Sequence, residues 1–132
     1  MVSDTIGDFI IRIKNAGMIG KKTVPVPYSK LRHSIADKLH TAGYLSGVEV
    51  KGKTPSTKTL EVKLQYDAAG AHRINGVKRI SKPGRRLYTK VALIHSVKFG
   101  KGHIILSTPA GILTNEEAKA QNVGGEQLFM IW

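Results

Sequence analysis

Two hydroxyls, one aromatic ring, three cations and one carboxylate carry most of the chemistry available in the second half of this 132-residue chain. Ser107 and Thr108 end the apolar run His103-Ile104-Ile105-Leu106 and stand just before Pro109-Ala110-Gly111. Hydroxyls so placed either bond the nearby backbone, as Ser and Thr do at turns, or serve as small donors and acceptors toward a partner. Lys82-Pro83-Gly84-Arg85-Arg86-Leu87-Tyr88 gathers three cations and a ring around a tight turn. Guanidinium groups match the fork geometry of phosphate, and an exposed ring is a stacking platform. The plain alternative is a charged turn with Tyr88 packed beneath it. Glu126 follows Gly124-Gly125; its carboxylate either accepts hydrogen bonds from a partner, holds an arginine in place, or closes a strand-end salt bridge.

The distribution of charge bears on these alternatives. The chain has 21 Lys+Arg against 9 Asp+Glu, a net charge of +12. From Ala68 to Asn115 there is no acid, while Arg73, Lys78, Arg79, Lys82, Arg85, Arg86, Lys90, Lys98 and Lys101 all fall in that span. A solvated face interleaves both signs, so an acid-free stretch of this length favours a surface that meets phosphates. Near a nucleic acid, Glu126 could accept from a 2′-hydroxyl or a base amino group.

Other chemistries are absent from the pattern. With no cysteine, disulfides, thiolate metal sites and cysteine nucleophiles are excluded. His33, His40, His72, His95 and His103 show no metal-ligand spacing. Adjacent Glu116 and Glu117 suit a helix N-terminus and not an acid/base pair. There is no phosphate loop and no nucleophile elbow, so no catalytic set can be assembled. No apolar run approaches the ~18 residues of a membrane span, and Asp4 and Asp8 are unlike a secretory or transit leader; a cytoplasmic location is the expectation.

The elements that must position these groups follow from periodicity. Ile6, Phe9, Ile10 and Ile13 form one helical stripe, with Thr5 and Asp8 as a cap, Gly17 as a stop, and Asp8, Arg12 and Asn15 on another face. Asp8 and Arg12 can pair across one turn. Thr23-Val24-Pro25-Val26-Pro27 is an edge strand if it is one. Ser29 caps a second helix whose inner stripe is Leu31, Ile35, Leu39 and Ala42, ended by Gly43. His33 and His40 fall on its polar side. Tyr44 to Val50 reads as a strand, and Thr59 to Tyr66 alternates cleanly.

Asp67 to Ala71 is the predicted joint, giving an N-terminal α-β-α-β-β domain (1–67) and a C-terminal mainly-β domain (72–132). The fold class is thus α/β in the α+β sense. Halves of about 66 residues are marginal alone, so the two are expected to share an interface. Past the joint, His72 to Ser81 is predicted as strand, while Val91 to Phe99 does not separate helix from strand. Two β-rich runs around Pro109-Ala110-Gly111 make a hairpin. Thr114-Asn115-Glu116-Glu117 has capping-box spacing for a brief helix. The last run, to Trp132, is apolar at odd and even positions and belongs inside a sheet.

Arg12-Ile13-Lys14-Asn15-Ala16, Lys82-Pro83-Gly84-Arg85-Arg86-Leu87-Tyr88, Leu106-Ser107-Thr108 with Gly111, and Gly124-Gly125-Glu126 leading to Trp132 resemble, in order and spacing, the bacterial-type small-subunit ribosomal protein S8 family. The resemblance covers essentially the whole chain. It implies a two-part α/β protein that binds the central domain of 16S ribosomal RNA, reads an irregular helix, contacts neighbouring small-subunit proteins and helps organise the platform. In some members the same surface represses the messenger RNA of their own operon. By this match, Ser107, Thr108, Tyr88 and Glu126 with Gly124 and Gly125 face RNA, as do the turn cations Lys82, Arg85 and Arg86. Lys30 and the first helix, through Thr5 and Asn15, form a second patch on the RNA backbone. No cofactor or metal is implied. The family's hairpin loop usually reads Ser-Thr-Ser before a basic residue and Gly. Here Pro109 and Ala110 take the third and fourth places, which removes one hydroxyl and one cation.

The mechanism suits the residue types. A-form RNA hides its base edges in a deep, narrow major groove, so a specific protein reads shape, 2′-hydroxyls and displaced bases. Small hydroxyls on a stiff hairpin permit close approach, while surrounding cations set orientation on phosphates. An RNA-acting enzyme would need a catalytic set. A DNA-binding domain would need a recognition helix rich in exposed Arg, Asn or Gln, which neither long helix shows.

Overall fold

The computed structural model describes residues 5–54, 57–82, 84–94 and 102–132. The described residues form two compact units, one of Asp8–Ile74 and the other from Asn75 to Trp132 together with Thr5–Gly7. The architecture is α+β.

In the first unit, helix α1 (Thr5–Met18), which enters it at Asp8, buries Phe9, Ile10, Ile13 and Ala16. Arg12 pairs with Asp8 at 3.3 Å, one turn apart. The helix runs through Gly17 and does not stop there. The expected Thr5–Asp8 cap rests on a side chain outside the described residues. Strand β1 (Thr23–Pro27) buries Val24 and Val26 and leaves Thr23, Pro25 and Pro27 exposed. It pairs with β3 (Thr59–Leu64) at one edge of a three-stranded antiparallel sheet, with β2 (Leu45–Lys51) at the other. Proline, lacking a donor, is tolerated at such an edge. In β3 the alternation holds: Leu60, Val62 and Leu64 are buried.

Helix α2 (Lys30–Thr41) is capped by Ser29, whose hydroxyl accepts from the Arg32 amide at 3.1 Å. Its buried residues are Ile35, Ala36 and Leu39. Of the expected inner stripe, Leu31, in the first turn, is 38% exposed and Ala42, the C-cap beyond the helix, is half-buried. His40 is exposed, and His33 lies 3.4 Å from Asp37. Asp67–Ala71 is a turn tied by the Asp67 carboxylate, which accepts from Ala69 at 2.9 Å and Ala71 at 2.8 Å. The units part a little further on, between Ile74 and Asn75.

The second unit is built on β8 (Gly125–Ile131), flanked on one side by β6 (His103–Thr108) and then β7 (Gly111–Thr114). Its other side pairs with β4 (Val77–Arg79) and β5 (Tyr88–Thr89). The terminal run is therefore interior to a sheet. Ile105 faces Phe129 but Leu106 faces Gln127, so Leu128 is an extra residue on β8. That bulge lets both Leu128 and Phe129 be buried, at 4% and 0% exposure. Strand β4 covers only part of the predicted 72–81 strand: the regular ladder with β8 spans Val77–Arg79, and Ile80 and Ser81 add single backbone bonds to Leu128 and Gln127 beyond it.

Thr114 and Glu117 form the expected capping box of helix α3 (Asn115–Gln121). Ala118 of α3 packs with Ile94, Ile104, Leu106 and Leu113 on one face of the sheet. Val91–Leu93 makes a single 3₁₀ turn, and the remainder of the 91–99 segment, residues 95–99, lies outside the described residues. Among the described residues no helix is long and apolar enough to cross a membrane.

Candidate nucleic-acid interface

The pairing of three strands brings the predicted residues together. Tyr88 on β5 is directly opposite Glu126 on β8, and Glu126 is directly opposite Ser107 on β6. Residues directly opposite in antiparallel strands project on the same face. Tyr88, Glu126 and Ser107 therefore form one row across the sheet. By the same alternation Leu106 and Ile104 point to the α3 side, so the row lies on the face away from α3.

The row is possible because Gly124 and Gly125 carry no side chain. A Cβ on Gly125 would fall on the Ser107 carbonyl oxygen, and one on Gly124 on the Thr89 carbonyl oxygen. Any larger residue would push β5 and β6 away from β8 and break the row. The two glycines are thus spacers on which the row depends.

Each member has its own environment. Tyr88 is 69% exposed, so its ring is not packed beneath the turn. The Glu126 side chain is only 13% exposed and lies 3.3 Å from Nη1 of Arg86, the arginine-holding arrangement. Among the described residues the Ser107 hydroxyl has no hydrogen-bond partner. Thr108 differs: its hydroxyl donates to the Gly111 carbonyl at 2.8 Å and accepts from the Ala110 amide at 3.2 Å. In the free protein Thr108 is turn chemistry, and it stiffens the Pro109-Ala110 tip.

The cationic turn borders the row. Lys82 and Arg85 exchange backbone hydrogen bonds at 2.8 and 2.9 Å, and both side chains are exposed. Pro83 lies outside the described residues. Arg86 is also exposed, with its tip toward Glu126. At the foot of the turn is Ser81, buried and bonded to both backbone groups of Leu87. Sequence reasoning missed this residue. The available signal was a small hydroxyl two positions before the Pro83-Gly84 turn, where its side chain can bond the returning strand.

The other expected residues belong to helices at the opposite end of the sequence. Lys30 is the exposed first residue of α2. Thr5 opens α1. Asn15 is exposed on α1 and lines a groove with Arg12, Ile19, Lys21 and Pro25. No group of three or more His, Asp or Glu among the described residues is placed to hold a metal ion.

The family model described as Ribosomal protein S8 matches residues 4–132. A small ribosomal subunit protein uS8 of Chlorobaculum parvum is 42% identical over 132 residues, spanning 99% of this chain and 98% of its own length. Its counterpart in Ruegeria sp. is 44% identical over 131 residues, 99% of this chain and 100% of that protein. The Dictyoglomus thermophilum protein is 45% identical over 131 residues, at 99% and 98% coverage. A family match over nearly the whole chain, with identity and coverage at these levels, shows that the chain belongs to the ribosomal protein S8 family.

Proposed function

We propose that this chain is a structural constituent of the small ribosomal subunit that binds the central domain of 16S ribosomal RNA and helps assemble the platform. Ribosomal proteins of this family are not enzymes, and the role asked of the surface is recognition. The observation that carries the reading is the row Tyr88, Glu126, Ser107 on three adjacent strands, bordered by Lys82, Arg85 and Arg86. A ring, an acceptor and a free hydroxyl in line suit an unstacked nucleotide: the base rests on Tyr88 while its edge or its 2′-hydroxyl meets Glu126 and Ser107. The cations steer and orient the backbone. Lys30, with Thr5 and Asn15 of α1, supplies a second contact to the RNA backbone. Neighbouring small-subunit proteins are its protein partners, the ribosome its place, and the cytoplasm its compartment. Where the chain also represses its operon's messenger RNA, that RNA would compete for the same row.

The test is binding to separate transcripts of the 5′, central and 3′ domains of 16S ribosomal RNA, with duplex DNA as competitor. Selective binding to the central domain, undisturbed by DNA, is the expected result. Equal affinity for all three transcripts, or displacement by DNA, would sink the proposal.

A further inference from the structure

The cationic turn is closed from within by a side chain that carries no charge. Ser81 is 3% exposed. Its hydroxyl accepts from the Leu87 amide at 2.9 Å and donates to the Leu87 carbonyl at 3.3 Å. Ser81 and Leu87 are the two feet of the loop that carries Lys82, Arg85 and Arg86. Both feet are tied to β8: the Ser81 amide donates to the Gln127 carbonyl at 3.1 Å, and the Gln127 amide donates to the Leu87 carbonyl at 2.9 Å. From the strand before, Nε of Arg79 donates to the Ser81 carbonyl at 2.9 Å. The tip of the loop is closed by the Lys82–Arg85 backbone pair and Arg86 is held by Glu126, so what Ser81 adds is the tie between the loop's two feet.

We propose that Ser81 is a positioning residue for RNA binding, holding the loop in its binding shape before RNA arrives. The proposal rests on the RNA-binding reading above. A loop that must be ordered during association gives up its freedom at that moment, and affinity falls accordingly. Ser81 meets that cost during folding, so Arg85, Arg86 and Tyr88 are presented already aimed. A hydroxyl suits the task because it donates and accepts at once, and it satisfies a Leu87 amide that the strand ladder leaves over.

Amide hydrogen exchange of Arg85 and Leu87 in the unaltered protein, free and bound to transcribed 16S ribosomal RNA, is the direct test. Protection of both amides already in the free protein is expected; protection that arises only with RNA would overturn the proposal. Ser81→Ala is the second arm, expected to bind RNA about tenfold more weakly. In that background Arg85→Ala should cost less affinity than it does in the unaltered protein, because a loosened turn no longer aims the cation. Strictly additive costs with a lowered Tm would make Ser81 an ordinary core residue. If the unaltered protein fails to bind the RNA, the functional reading falls and the positioning role with it; the free-state exchange still reports separately whether the turn is closed.

Discussion

Thr108 and Ser107 are neighbours on β6, and their hydroxyls have different fates. The Thr108 hydroxyl is spent on the Gly111 carbonyl and the Ala110 amide. Thr108→Val keeps the shape and loses both bonds, so folding stability should drop by about 1–2 kcal/mol in urea denaturation, with RNA affinity changing little. Ser107→Ala should do the reverse: stability within about 0.5 kcal/mol, and affinity lowered by roughly 1 kcal/mol. An alanine variant that binds as tightly as the unaltered protein would remove Ser107 from the interface. Tyr88→Ala should cost about 1–3 kcal/mol of RNA affinity and little stability, since the ring is 69% exposed. Residue types alone leave each of these groups with more than one reading, because a hydroxyl, a ring or a carboxylate has the same chemistry inside a turn as outside it. What separates them is which bonds the fold has already filled.

At the scale of elements, the local signals were legible and the tertiary ones were not. The 3.6 and 2.0 periods mark α1, α2 and β3, and the Thr114–Glu117 box marks α3, because each is set by residues adjacent in sequence. Strand β5 is two residues long and exists only because β8 lies beside it, which no window of sequence reveals. Gly17 is a similar case. It looks like a helix stop, yet a Cβ there would fall on the His72 ring, so its function is close approach. Gly17→Ala should therefore destabilise the protein by about 1–3 kcal/mol through overpacking, despite alanine's higher helix propensity; a raised Tm would refute this. The His72 ring also packs on Tyr66, centroids 5.6 Å apart, and the Tyr66 hydroxyl donates to the Lys21 carbonyl. Burial lowers the His72 pKa below the ordinary 6.5. The unfolded chain then binds the proton more readily than the folded one. The neutral ring's contribution is whole above about pH 6.5 and is lost as pH falls toward the folded value. Stability should drop as pH falls below the ordinary histidine value of 6.5, and His72→Phe should flatten that drop when both are followed by urea denaturation. Equal pH slopes for the two proteins would show that His72 does not titrate with folding.

For the whole molecule, the decisive quantity is the charge left over after internal pairing. Asp8, Glu49, Glu61 and Glu126 each lie within salt-bridge reach of an Arg or Lys. Such exposed pairs add little to stability, but they commit the scarce acids and leave the excess of +12 to the surroundings. The Ala68–Asn115 span, with no acid of its own, holds the turn that borders the Tyr88–Glu126–Ser107 row. The cationic turn and the row are thus adjacent in one unit. If about 4–6 phosphates are neutralised on binding, the logarithm of affinity should fall with the logarithm of salt at a slope of roughly −3 to −5. Variants then sort by mechanism. Lys82→Ala and Arg85→Ala should each lower the magnitude of the slope by about one, since each removes a counterion-releasing contact. Tyr88→Ala and Ser107→Ala should weaken binding at every salt concentration and leave the slope alone, because neither carries charge. A nearly flat salt response, or a slope that shifts with Tyr88→Ala, would mean that the cations do not meet phosphates and that the row does not work beside them.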